Sequence, residues 1–178
     1  ADTVNNASGG WLPNTINLDA GNNSIGNAGG TITGGVVLGA GNDTVFNTGS
    51  INGTVTLGEG ANSVRNSGRI SGSLIFGNGA DDVSNITNGV ISGTVSLGGE
   101  ADELINVGGT LSGAIYGEGG DDLVSINGAS GLVTGTIDLG IDNDLFYNTS
   151  SASINATIIL GSGGDYLSNR GTLNGSID

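Results

Sequence analysis

The acidic side chains of this chain recur at a nearly constant interval. Aspartate or asparagine occupies the sixth position of a turn motif that begins Leu-Gly in most of its copies. The residues at this position are Asn23, Asp43, Asn62, Asp81, Asp102, Asp121, Asp144 and Asp165. If the copies stack as strands do, we expect an outward-facing column in which neighbouring carboxylates lie about 4.8 Å apart and repel by roughly 1 kcal/mol even in water.

A cation between the copies would relieve that repulsion. Backbone carbonyls of the glycine-rich turn would point to the same place, and an all-oxygen environment suits Ca²⁺, which takes about 6 to 8 oxygen ligands. The predicted metal ligands are Asp43, Asp81, Asp102, Asp121, Asp144 and Asp165. A purely structural alternative stays open, because Asp and Asn also favour tight turns and bond to their own backbone.

Composition excludes several other kinds of chemistry. The chain has no Cys, His or Met, which removes thiol nucleophiles, imidazole bases, disulfides and most soft-metal sites. Its 17 acidic residues against three basic ones give a formal net charge of −14, so no basic patch for nucleic acid or anionic membranes is expected. No apolar run reaches the roughly 20 residues that a membrane span needs, and we expect no membrane insertion.

The turn motif belongs to a repeat that fills the chain. Copies lie at residues 38–45, 57–64, 76–83, 97–104, 116–123, 139–146 and 160–167, with a weaker copy at 18–25. Between them, segments such as Ile51-Asn52-Gly53-Thr54-Val55 carry an apolar residue or glycine at every second position, which is the period of a strand with one buried face. No segment has the 3.6-residue period of a helix.

These patterns predict an all-β fold, a parallel β-solenoid (β-helix or β-roll). We expect about eight to nine coils of 19–23 residues with three short strands per coil, in one domain over residues 1–178 whose partial first coil is 1–17 and whose repeats are 18–178. The predicted inner columns are Val45/Val64/Val83/Leu104/Leu123, Ile51/Ile70/Ile91, Val55/Leu74/Val95 and Leu38/Leu57/Phe76/Leu97. A further column of Asn27, Asn47, Asn66, Asn85, Asn106, Asn148 and Asn169, with Ser125 in the remaining coil, predicts an internal amide ladder.

Two resemblances follow from these motifs. Residues 39–45, 77–83 and 117–123 resemble the RTX nonapeptide GGxGxDxUx, whose family binds Ca²⁺ in a parallel β-roll, although here Leu, Phe or Tyr replaces the first Gly and each coil has one such turn instead of two. The resemblance implies Ca²⁺ as the cofactor. The alternating half of the unit is similar to repeats of bacterial autotransporter passenger domains and surface adhesins.

We therefore expect a secreted structural or adhesive protein at the cell surface or in a biofilm matrix. Asp2-Thr3-Val4-Asn5-Asn6 matches the middle of a coil at residues 43–47, so the expected partners are further copies stacked head to tail into a filament, or adjoining repeats of a longer chain. Surface carbohydrate is another expected partner, through Tyr147 and Tyr166.

Two alternative functions stay open. A carbohydrate-active β-helix enzyme, a lyase or glycosidase, would use acidic pairs such as Asp81/Asp82 and Asp121/Asp122, but neighbouring strand residues point to opposite faces and we expect no enzyme. An ice-binding solenoid would use an outward column of Thr54, Ser73, Thr94, Ala114, Thr136, Thr157 and Ser176, which lacks a matching row two residues further on.

Overall fold

Each coil of the chain contributes one short strand to each of three parallel sheets, here called A, B and C. The computed structural model describes residues 1–149 and 151–178, and in this part of the chain sheets A and B have nine strands and sheet C has eight. The predicted β-solenoid with three strands per coil is confirmed. No helix of the described residues is long and apolar enough to cross a membrane.

The strands follow one another in the order A, B, C within every coil. Sheet A consists of Thr3–Asn6, Ser24–Asn27, Thr44–Asn47, Ser63–Asn66, Asp82–Ile86, Glu103–Val107, Leu123–Asn127, Leu145–Asn148 and Tyr166–Asn169. Sheet B consists of Trp11–Leu12, Thr31–Ile32, Ser50–Ile51, Arg69–Ile70, Val90–Ile91, Thr110–Leu111, Leu132–Val133, Ser153–Ile154 and Thr172–Leu173. Sheet C consists of Ile16–Asn17, Val36–Val37, Val55–Gly58, Leu74–Phe76, Val95–Gly99, Ile115–Gly119, Ile137–Asp138 and Ile158–Ile159.

The core is a set of vertical columns, because residues of one type lie directly above one another in successive coils. Sheet B pairs Ile51 with Ile70 and Ile70 with Ile91, and all three side chains are at most 1% exposed. Sheet C pairs Leu74 with both Val55 and Val95. One coil alone buries little, so the apolar side chains gain their roughly 1.5–3 kcal/mol of burial each only through stacking.

The corner between sheets B and C is tight. Glycine stands there in almost every coil, and a Cβ at Gly53 would lie 2.4 Å from the carbonyl oxygen of Gly34 in the preceding coil. A Cβ at Gly53 would fit only if the two coils moved apart. The bend that separates the two sheets therefore depends on glycine for its close backbone approach.

One coil departs from the predicted register. Tyr116 pairs with Ser96 and points outward with 40% of its surface exposed, and Gly117 takes the inward place that Leu97 fills one coil earlier. The turn begins one residue later than expected. Val124, and not Leu123, therefore pairs with Leu104 and is buried, so the prediction of Leu123 as a core residue was wrong.

The predicted amide ladder is present at the corner between sheets A and B. The side-chain Nδ2 of each asparagine donates to the Oδ1 of the next, at 2.9 Å from Asn6 to Asn27, 2.7 Å from Asn27 to Asn47, and 2.8 Å for each step from Asn47 through Asn66 and Asn85 to Asn106. Each amide both donates and accepts, so one residue type satisfies the whole column.

The ladder is interrupted in the shifted coil. Ile126, and not the predicted Ser125, pairs with Asn106 and Asn148. Since Ile126 has no amide, the buried Oδ1 of Asn148 has no hydrogen-bond partner among the described residues. The ladder resumes from Asn148 to Asn169 at 2.7 Å.

Replacing Asn66 with alanine tests the ladder. The variant leaves the Oδ1 of Asn85 and the Nδ2 of Asn47 short of a partner, so we expect a loss of about 2–4 kcal/mol in the free energy of unfolding. Urea denaturation followed by circular dichroism measures it, with Asn52→Ala on the exposed surface as the matched control. Equal losses in the two variants would contradict a stabilising ladder.

Candidate metal centre

The acidic column lies at the corner between sheet C and sheet A, directly before each sheet A strand. In the turn before Asn62, Gly58 and Gly60 adopt φ values of 85° and 109°. Two residues with positive φ, separated by one residue, reverse the direction of the chain over a short distance. Glycine adopts this left-handed backbone conformation at little cost. The turn carries the sixth residue of the motif into the angle between the two sheets.

The column points inward, which corrects the expectation of an outward column. Its members are Asn23, Asp43, Asn62, Asp81, Asp102, Asp122 and Asp144, each at most 3% exposed, followed by the half-buried Asp165. The alternation of side chains along a strand predicts this inward direction. Asp43 is separated by two and four residues from the buried Val45 and Asn47, so all three face the same side.

Asp121, which the sequence places in the column, lies outside it. It is exposed, and its Oδ1 accepts hydrogen bonds from the backbone and side-chain nitrogens of Asn143 at 2.9 and 3.1 Å. Asp122 takes its place because Gly117 shifts the turn. Spacing from sheet C could have identified it, since Val95 to Asp102, Ile115 to Asp122 and Ile137 to Asp144 are all steps of seven residues.

One oxygen of each carboxylate joins the coils together. The backbone N–H of every column member donates to the Oδ1 of the column member in the next coil. The distances are 2.6 Å from Asn23 to Asp43 and from Asn62 to Asp81, 2.7 Å from Asp81 to Asp102, 2.9 Å from Asp102 to Asp122 and from Asp122 to Asp144, and 3.0 Å from Asp144 to Asp165. This ladder fixes every side chain in one orientation.

The second oxygen has no partner. The Oδ2 atoms of Asp43, Asp81, Asp102, Asp122 and Asp144 are buried and accept no hydrogen bond from the described residues. Leaving a buried polar atom unsatisfied costs about 1–3 kcal/mol, and more when it is charged. Five such atoms in one column call for a partner of positive charge.

The asparagine coils indicate what surrounds these oxygens. In Asn62 the position of Oδ2 is held by Nδ2, which donates to the carbonyl oxygens of Gly58 at 3.1 Å and Gly60 at 2.7 Å. In Asn23 the Nδ2 donates to the carbonyl oxygens of Asp19 and Leu38, both at 3.1 Å. An aspartate in this position places its Oδ2, a hydrogen-bond acceptor, beside the carbonyl oxygens of the turn, which are also acceptors. These oxygens repel one another unless a proton or a cation lies between them.

The electrostatics of the column are those of crowded, desolvated acids. Burial raises the pKa of Asp81 and Asp144 to about 6, of Asp102 to about 7 and of Asp122 to about 8, and it also raises the pKa of Asp43. The N–H donated to each Oδ1 acts in the opposite direction. For Asp102, the carboxylates of Asp81, Glu100 and Glu118 raise the pKa further.

No three acidic side chains of residues 1–149 and 151–178 converge on a single point as a ready-made metal cage. A cation in this corner would therefore draw on the column carboxylates together with the carbonyls of the turn, the donor set that the asparagine coils reveal. The all-oxygen set fits a hard cation.

The acidic pairs considered for catalysis do not converge. Asp81 is buried in the column, whereas Asp82 begins a sheet A strand with its side chain in the half-buried outer row. Asp122 is likewise buried and Asp121 exposed. The members of each pair point to opposite sides of the chain, as alternation requires.

Comparison with known proteins bears on the fold. No protein-family model matches the chain, and no curated protein matches it. Among solved structures, the chain is similar to a hyperactive, Ca²⁺-dependent, β-helical antifreeze protein from an Antarctic bacterium, with a TM-score of 0.80 and 23% sequence identity. The match covers 100% of this chain and 62% of that chain. At this identity the likeness shows a shared β-helical fold.

The raised pKa values predict an unusual pH dependence for the chelator-treated protein. Each of these carboxyls binds its proton more tightly in the folded state than in the unfolded state, where its pKa is 3.8. Their stabilising contribution is thus fully present below about pH 4 and is lost as the pH rises through 6 to 8. We expect the melting temperature to fall by more than about 10 °C between pH 5 and pH 8.5.

Thermal melting in chelator across this pH range measures the effect. The double variant Asp102→Asn/Asp122→Asn should flatten the profile, and Asp82→Asn, which removes a neighbouring charge outside the column, should leave it unchanged. A melting temperature that is constant or rises with pH in the parent protein would contradict the prediction.

Proposed function

We propose that this chain is a calcium-stabilised structural rod of the extracellular space. One observation carries the proposal: within residues 1–149 and 151–178, the buried Oδ2 atoms of five aspartates have no hydrogen-bond partner. They lie at the position where the amide of Asn62 donates to two turn carbonyls. A bound cation would join a carboxylate oxygen to these carbonyls. It would also neutralise the repulsion between successive coils.

Calcium fits this corner better than other cations. It accepts an irregular set of oxygen ligands, whereas Mg²⁺ demands near-octahedral geometry and zinc prefers nitrogen and sulfur. Aspartates follow one another without interruption at Asp81, Asp102, Asp122, Asp144 and Asp165, so we place the sites between these coils. The Ca²⁺ dependence stated for the similar antifreeze protein supports the choice.

The location follows from the same chemistry. Extracellular calcium modules bind their ion with dissociation constants of about 10⁻⁴ to 10⁻³ M, a concentration that calcium reaches outside cells. A formal net charge of −14 suits a rod that stays soluble when its inner carboxylates are neutralised. We propose a non-catalytic spacer or adhesive module, about 40 Å long for nine coils at the strand spacing.

Calcium titration with column variants tests the proposal. Millimolar Ca²⁺ should raise the melting temperature at pH 7.5, with about 1.4 kcal/mol gained per site at ten times the dissociation constant. Asp102→Asn/Asp122→Asn should lose at least half of that gain. In chelator the same variant should be as stable as the parent or more stable, because each new amide can donate to the turn as Asn62 does.

The matched control is Asp82→Asn/Glu103→Gln, which removes two charges from the outer row of sheet A, one in the coil of Asp102 and one in the coil before it. Its calcium response should equal that of the parent. Calorimetry that detects no calcium binding at millimolar concentration, or a response that the column variant retains in full, would refute the proposal.

Ice binding is a second candidate, favoured by the outer surface of the corner between sheets B and C. Beside the row of Thr54, Ser73, Thr94, Ala114, Thr136, Thr157 and Ser176 lies a second polar row, two residues earlier in each coil instead of two residues later. This row consists of Thr33, Asn52, Ser71, Ser92, Ser112, Thr134, Asn155 and Asn174. Contacts run along both rows, from Asn174 to Asn155 at 3.0 Å and between Thr157 and Ser176 at 3.1 Å.

Two parallel rows of small polar groups at the strand spacing are a regular surface on which water can order. The antifreeze activity stated for the similar β-helix gives this candidate its weight. One feature opposes it: Arg69 lies across the second row and donates to Ser71 at 3.1 Å and Ser92 at 3.3 Å. That long side chain breaks the flatness of the surface in the middle of the rod.

Thermal hysteresis measured at millimolar protein tests ice binding. The parent protein should exceed buffer, and Thr136→Arg, which places a bulky charged group between the rows, should remove at least half of the effect. Thr44→Arg on the outer face of sheet A is the control and should change nothing. Hysteresis indistinguishable from buffer, or equal losses in both variants, would eliminate this candidate.

A further inference from the structure

The outer face of sheet A changes character along the rod. Its first outward row holds the hydroxyl residues Thr3, Ser24, Thr44 and Ser63 in the early coils, then Asp82 and Glu103, and finally Leu123, Leu145 and Tyr166. Leu145 is 41% exposed and Tyr166 is 53% exposed. Core packing does not require large apolar groups here, because this row faces away from the core.

The last coils form a cleft on this face. The rings of Tyr147 and Tyr166 lie with their centroids 5.9 Å apart and their planes tilted by 54°. The cleft beside them has a volume of about 250 Å³ and is lined by Tyr147, Asn148, Thr149, Tyr166, Ser168 and Arg170. This volume is below the roughly 300–1,000 Å³ of pockets for drug-sized ligands, so it suits a single small ring.

The lining combines an apolar wall with hydrogen-bonding groups. Two tilted aromatic rings offer π faces to the C–H groups of a flat, partly apolar ligand, and the phenol hydroxyls supply polar edges. Ser168 and Thr149 add hydroxyl groups at the rim. A pyranose ring presents the same combination of an apolar face and a hydroxyl edge.

The charge of the cleft indicates which sugar it would bind. Arg170 is one of only three basic residues, against 17 acidic ones, and it lies at this aromatic cleft with its side chain exposed. A guanidinium presents a planar fork that matches a carboxylate in two hydrogen bonds. A neutral sugar can accept hydrogen bonds from it but offers no charge to pair with it.

The surrounding acidic surface does not cancel this attraction. Glu103, in the same outward row, is three coils from Tyr166, or about 14 Å at the strand spacing, which exceeds the Debye length of about 8 Å at physiological salt. Asp165 directly precedes Tyr166 in sequence, but its Oδ1 accepts the N–H of Asp144 at the inner corner. The cleft is therefore locally favourable for an anion.

We propose that Tyr147, Tyr166 and Arg170 form a binding site for one carboxylate-bearing sugar residue, such as a hexuronate in an acidic polysaccharide. The rings stack on the sugar and Arg170 binds its carboxylate. The proposal concerns the outer surface and is independent of cations at the inner corner.

Titration with short oligosaccharides tests the site. The probes are trigalacturonate and the neutral trisaccharide maltotriose, added at one fixed calcium concentration and followed by calorimetry and by NMR of the tyrosine rings. Trigalacturonate should bind at least tenfold more tightly than maltotriose. Arg170→Gln should weaken its binding by about 10- to 100-fold, the worth of a hydrogen bond to a charged group. Tyr166→Ala should weaken it by about 3- to 10-fold, because it removes one stacking ring.

Phe46→Ala and Arg65→Gln are the matched controls. They remove an exposed ring and a guanidinium that are paired neighbours on the same outer face, far from the cleft, and should leave binding unchanged. Circular dichroism melts verify that all four variants fold.

Three outcomes would overturn the proposal. The first is that trigalacturonate does not bind at millimolar concentration. The second is that Arg65→Gln weakens binding as much as Arg170→Gln, which would indicate unspecific charge attraction. The third is self-association of the parent that Tyr166→Ala abolishes while no sugar binds, since a second copy of the chain would then be the occupant of the cleft.

Discussion

Stacking at the strand spacing is the constraint on which the rest of this structure depends. Every coil presents the same side chain to the coil above and to the coil below, so each buried column must satisfy its own hydrogen-bonding needs. Apolar columns do this by contact alone. An amide column does it by donating in one direction and accepting in the other, as Asn47 does between Asn27 and Asn66. A carboxylate column does not, because an ionised carboxylate only accepts.

This difference divides the rod along its length. The early coils contain Asn23 and Asn62 in the acidic column, where the side chains satisfy the turn carbonyls by themselves. The later coils contain only aspartate there, and the highest pKa of the column, about 8, belongs to Asp122. The same coil has Gly117 in place of a core leucine and Ile126 in place of a ladder amide. The coil that lacks a ladder amide is thus also the one whose column carboxyl binds a proton most tightly.

Much of this arrangement could be predicted from the sequence, because each position of the repeat occurs in several copies and the copies carry the same type of residue. The three strands per coil and the columns built on Ile51, Val55 and Val45 follow from the repeat period and from the alternation of side chains alone.

The register of one coil could not be predicted in the same way. Gly117 has no side chain to mark an inward position, and the motif Gly117-x-Gly119-x-Asp121 matches the turn pattern one residue too early. The inward direction of Asp43 was visible in its parity with Val45, although the column was expected to face outward. The orphaned oxygens that result are the most informative feature of the site, and only atomic positions reveal them.

The outer surface is free of the stacking constraint, and there the repeat loses its uniformity. The inward residues of sheet A keep one character from Ile25 to Phe146, while the outward residues beside them change from hydroxyl groups to carboxylates and then to leucine and tyrosine. Residues on this outer face can vary without loss of core packing, so binding specificity can arise there without lowering the stability of the fold. A stacked core and a variable exterior are therefore complementary. The stacked core holds the coils in register, and this register brings the rings of Tyr147 and Tyr166, which are 19 residues apart in sequence, to a centroid distance of 5.9 Å. Such a surface extends its contacts along the rod by adding coils, since each new coil places one more side chain beside the last.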